Sequence, residues 1–203
     1  MHDENPIDAA TANKAEATRQ RSNPYAALAA HMQRAGSGDR AALARLDPDA
    51  LRPHELAALS RALLSTGLQP ETWRAETWRA ETWLRWTLIV HGVALAGHDG
   101  AGRLGKQLAN ADVSESRVTR LLTARGEAFR QLLPRILRLL ASRDVRPNWR
   151  ELGDLVLKEG SSQPGDAERA EQLRMHIAYS YFAARQLEPR MPNDPHEFLE
   201  NPP

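Results

Sequence analysis

Apolar side chains return along this chain every three or four residues, the period of a helix that buries one face. The plainest case is Phe129, Leu132, Leu133, Ile136, Leu137 and Leu140, which form one stripe. At about 100° per residue, Arg130, Arg135 and Arg138 fall on the opposite side, with Gln131 among them. Pro134 sits inside the pattern, where it removes one i→i−4 hydrogen bond and is expected to kink the helix. A shorter helix, from Glu115 to about Ala124, turns Val118, Leu121 and Leu122 inward and Arg117 and Arg120 outward. Ser114 is its expected N-cap, and Gly126 separates the two helices.

The same reading extends to both ends. Asn23-Pro24 opens a helix that buries Tyr25, Leu28 and Met32 and runs to Arg34, and Gly36-Ser37-Gly38 breaks it. Asp39 is expected to cap a second helix through Leu46, with Arg40 and Arg45 exposed. Pro53 opens a third, with Leu56, Leu59, Leu63 and Leu64 as core positions. Trp83 to Ala96 reads as a largely buried helix closed by Gly97. Asn148 and Glu151 make a capping-box-like start to another helix. After the linker KEGSSQPGD, Asp166 caps a last helix through about Arg185, with Leu173, Ile177, Tyr181 and Ala184 inward. Sustained strand alternation is missing, so the expected class is all-α: a compact multi-helix bundle, or two small helical lobes, over residues 23–186. Residues 1–22 are polar, and 187–203 are acidic and proline-rich; both are expected to be disordered.

Charge changes the picture. Between Arg103 and Arg150, eleven basic side chains face four acidic ones, a net +7 in a chain of formal net charge +1. Residues 151–203, by contrast, hold five basic and ten acidic residues, so a uniform taste for arginine does not explain the cluster. A local positive field of this kind attracts a polyanion, while the plainer reading is a solvated helix face. The pentads ETWRA-ETWRA-ETWLR, from Glu71 to Arg85, advance about 140° each around a helix, so Trp73, Trp78 and Trp83 diverge. That favours a short duplication at a helix start over a base-stacking ladder.

Other chemistry is thin. The chain contains no cysteine, which removes disulfides and thiolate metal sites and suits the cytoplasm. His98-Asp99 resembles a metal-binding pair but lacks further ligands at useful spacing, and no nucleophile elbow, Walker loop or dinucleotide fingerprint occurs. No cofactor, metal, membrane span or catalytic residue is expected.

The order LGKQLANAD, SESRVTRLL, a Leu/Arg-rich helix and NWRELGDLVL, over Leu104 to Leu157, resembles the CasB family, the small subunit of the type I-E CRISPR complex Cascade. Gly38-Asp39 with Ala42, Leu43 and Arg45 adds a weaker match, and Asn148 stands where that family usually has Asp. The resemblance implies a non-catalytic subunit, two copies per complex, lying along a guide-RNA filament beside other Cascade subunits. Such a subunit helps hold guide RNA and target DNA by their phosphates in antiviral defence, while base pairing by the guide reads sequence. Lys106 and Arg117 occupy recurring basic positions of the family. Arg120, Arg130, Arg135 and Arg138 join them by helical facing alone. The competing expectation is a protein–protein scaffold without direct nucleic-acid contact.

Overall fold

The structure, a computed structural model, describes residues 23–48, 50–67 and 80–187. Among the described residues it is helical without strands: α1 (Pro24–Arg34), α2 (Ser37–Arg45), α3 (Pro53–Leu64), α4 (Ala80–Ala96), α5 (Leu104–Asn110), α6 (Glu115–Thr123), α7 (Gly126–Ser142), α8 (Trp149–Lys158) and α9 (Asp166–Leu187). The lead-in 1–22, residues 68–79 with Trp73 and Trp78, and the tail beyond Leu187 lie outside the described residues.

Helix α4 is the hub. Eight consecutive residues, Trp86 to Val93, are buried, so this helix has no solvent face over two turns. It packs against α1, α2, α3, α7 and α8. Trp149 of α8 fixes one of these crossings: its ring lies where a β-carbon on Gly92 would come within 2.3 Å, and its Nε1 donates to the Gly97 carbonyl at 2.8 Å. Trp86 is buried and Trp83 packs partly against the core. All nine described helices contribute to one continuous apolar cluster, which makes this one bundle rather than two lobes.

Several local expectations change in three dimensions. Leu56 and Leu64 are 46% and 56% exposed, because α3 buries Glu55, Ala58, Leu59, Ala62 and Leu63 instead. Leu56 and Leu64 fall on the other side of the helix from Ala58 and Ala62. Glu55 reaches back to the Arg52 backbone N at 2.9 Å and to its guanidinium at 2.6 Å. Helix α2 begins at Ser37 with Gly36 as N-cap, so Gly38 lies inside it. Asp39, in its first turn, pairs with Arg61 (2.8 Å) rather than capping. Ser114 holds the N-cap position of α6 without making the side-chain bond.

The start of α8 shows best what packing adds. Asn148 accepts from the Arg150 N (2.9 Å), as a capping residue should, but Glu151 does not close the box. Glu151 instead accepts from Leu104 N (2.7 Å), capping α5, while Gln107 of α5 accepts from Asn148 N (2.6 Å). Two helix starts exchange caps, which satisfies orphan amides on both.

Acid should loosen this packing before the carboxylates titrate. His91 on α4 is buried, and its Nδ1–H donates to the Leu43 carbonyl of α2 (3.0 Å). Burial lowers its pKa below the ordinary 6.5; the Leu43 bond opposes that and the Arg138 charge adds to it. His98 is lowered as well, mainly by burial. The unfolded chain then takes up protons first, so stability is full above the ordinary histidine pKa and declines as pH falls toward the depressed native values. Thermal melts at about pH 7.5 and about pH 5.5 should show that loss, and His91→Asn, which keeps a donor near Leu43, should shrink the difference. An undiminished difference in the variant would remove His91 as its source.

Candidate nucleic-acid interface

The basic surface is built on α6 and α7. Helix α6 buries Val118, Leu121 and Leu122, which leaves Arg117 and Arg120 exposed. Helix α7 runs through Pro134 and buries Phe129, Leu133, Ile136, Leu137 and Leu140, with Leu132 half-buried at the stripe's edge. Arg130, Arg135 and Arg138 are exposed on it.

The turn between the two helices is fastened from below. Arg125 donates to the Leu122 and Ala124 carbonyls (both 3.0 Å), closing the end of α6, and forks onto Glu171 of α9 (2.8 and 2.9 Å). Gly126 N, at the start of α7, donates to Glu159 (2.7 Å). Glu159 is itself buried against Arg174, and Arg174 also pairs with Glu171 (2.8 Å). A buried pair of this kind contributes little net energy against an apolar alternative, but losing one partner strands a charge. Its geometric effect is to hold the angle between α6 and α7, and so the spacing of their arginines.

The sequence carries a signal for Arg174. It falls in step with Ala170, Ile177 and Tyr181, the spacing of a buried stripe, so a charged residue there needed a carboxylate. Arg125 counts toward the basic cluster in the sequence, yet its guanidinium is occupied by this scaffold.

Lys106, Arg117, Arg120, Arg130, Arg135 and Arg138 differ from it. All six are exposed, and none makes a side-chain hydrogen bond or ion pair among the described residues. They do not form one patch. Arg117, Arg120 and Arg135 line a groove of about 380 Å³ between α6 and α7, together with Leu132, Ile136 and Leu139. Arg130 lies about 140° around α7 from Arg135, beside a smaller groove lined by α4 and α8 residues. Arg138 stands between these flanks, its charge acting on His91. Lys106 is apart from all of them, on a groove between α5 and α9 with Arg103, His176, Tyr179, Ala183 and Leu187. Arg103 contacts His176 and Glu151 there.

The groove between α5 and α9 borders an apolar face. Met175, Tyr179 and Leu187 of α9 are 73%, 78% and 84% exposed, and Phe182 is also exposed. Tyr179 and Leu187 line this groove while standing largely exposed, whereas Ile177 and Tyr181 of the same helix are buried.

His98 and Asp99 serve the loop between α4 and α5. His98 Nδ1 accepts from Trp149 N (3.2 Å), and Asp99 accepts from Ala101 N (2.9 Å). Among the described residues, no group of three or more His, Asp or Glu side chains could hold a metal ion. No helix among them is long and apolar enough to cross a membrane.

Residues 39–182 match the family described as CRISPR-associated protein Cse2. No curated protein and no solved structure matches the chain. The matched span starts in the first turn of α2 and ends in α9, so it contains the hub helix, the exchanged caps and the whole α6–α7 surface. The chain therefore belongs to the Cse2 family, the small subunit of the type I-E CRISPR complex Cascade, which is the CasB family that its motifs from Leu104 to Leu157 resemble.

Proposed function

We propose that this subunit binds nucleic-acid phosphates through the α6–α7 surface, without catalysis, and so steadies guide RNA and target DNA in the R-loop during antiviral defence in the cytoplasm. One observation supports this above the others: Arg117, Arg120 and Arg135 converge on one groove, and no carboxylate among the described residues neutralises them. A surface arginine with no partner keeps its full field for a ligand, and its forked donors suit phosphate oxygens. Arg138, Arg130 and Lys106 extend the positive surface along and around the bundle. Phosphate contacts carry no sequence information of their own, and base pairing by the guide does the reading. Two copies along the filament would double the surface.

The salt dependence of binding tests this. Three phosphate contacts should give a slope of log affinity on log salt of about −2 to −3 for the full chain on DNA or RNA. A flat response would sink the phosphate reading. It would favour the scaffold reading, for which the apolar face of α9 is the specific support: Met175, Tyr179, Phe182 and Leu187 offer other Cascade subunits a surface to bury. The two surfaces use different helices, so one subunit can serve both roles.

A further inference from the structure

We infer that the α6–α7 groove seats an unpaired base, so that its ligand is single-stranded nucleic acid rather than duplex; the inference rests on the phosphate-binding reading above. Phosphates alone would need only the three guanidinium groups. The groove has more: Leu132, Ile136 and Leu139, spaced i, i+4 and i+7 on α7, give it an apolar floor beneath Arg117, Arg120 and Arg135. Leu132 and Leu139 are half-buried although they belong to a helix with a well-filled core side, so this floor is apolar surface left facing the groove. A flat heteroaromatic ring covers such a floor, and guanidinium planes stack on its other face. The flanking phosphates then meet the same arginines. In a duplex the rings are stacked and paired, and only the backbone would reach the rim.

The lining also predicts which bases suit it. It holds hydrogen-bond donors and no side-chain acceptor. Thymine and uracil present two carbonyl oxygens to those donors, whereas cytosine presents one and an amino group that meets no acceptor. Thymine and cytosine strands make the cleanest comparison, because neither stacks strongly on itself.

The test uses the full chain and three strands of equal length and charge: oligo-dT, oligo-dC, and a strand of abasic tetrahydrofuran phosphates. The parent should bind oligo-dT at least tenfold more tightly than the abasic strand and at least threefold more tightly than oligo-dC. Leu132→Gln with Leu139→Gln should erase the preference for oligo-dT over the abasic strand. Equal binding of oligo-dT and the abasic strand by the parent would overturn the base site while leaving the phosphate reading intact. Binding of neither strand would fell both readings. Full retention of the preference in the double variant would also overturn the base site. If that variant does not fold, the parent's comparison of strands decides.

Discussion

Gly105→Ala is expected to lower stability by about 2 kcal/mol, against the direction that helix propensity alone gives. Gly105 lies inside α5, in the LGKQLA stretch, and an alanine in a helix interior is worth about 1 kcal/mol more than glycine. Here α9 occupies the space. A β-carbon on Gly105 would stand 2.2 Å from the Ile177 carbonyl oxygen and 2.5 Å from Tyr181 N, both backbone atoms. It would also stand 2.1 Å from Ser180 Oγ, which can rotate away; the backbone of a helix cannot. Overpacking of this kind costs about 1–3 kcal/mol, and the backbone contact puts this site at the upper end, so the loss outweighs the propensity gain. In a domain of this size the melting temperature should fall by about 4–8 °C. Urea unfolding of variant and parent reads the same quantity, and a variant as stable as the parent would show that α5 and α9 are less closely joined than they stand here.

Arg117→Glu with Arg135→Glu should weaken binding to single-stranded DNA by on the order of a hundredfold at low salt and reduce the magnitude of the salt slope by about 2. The two side chains reach the same groove from different helices, so reversing both replaces an attractive rim with a repulsive one. Both are exposed and unpaired among the described residues, so the fold should survive, which circular dichroism would verify. Arg130→Glu with Arg138→Glu changes net charge equally but lies on the flank and crest of α7 outside that groove. It should therefore cost less affinity. Equal losses from the two pairs would mean that only the overall field matters, and unchanged affinity in both would remove α7 from the interface.

The helices themselves were written in the sequence, because a helix is decided by neighbours three and four residues away. Phe129 to Leu140 identified the buried side of α7, and the same period put Arg130, Arg135 and Arg138 in water. The uneven charge between Arg103 and Arg150 and the order of motifs that resembles CasB were likewise properties of the chain alone. Periodicity, however, orients a side chain only about its own helix axis and does not say what lies across from it. Leu56 and Leu64 have the spacing of core positions, yet the buried face of α3 is the one that carries Glu55, Ala58, Leu59, Ala62 and Leu63. Glu151 had the spacing to cap its own helix, yet the Leu104 amide, forty-seven positions away, took its carboxylate. Arg125 and Arg117 were indistinguishable as arginines. Only the tertiary structure decided that Glu171 and two carbonyls occupy the first while the second stays free, since an ion pair depends on distance through space and not along the chain.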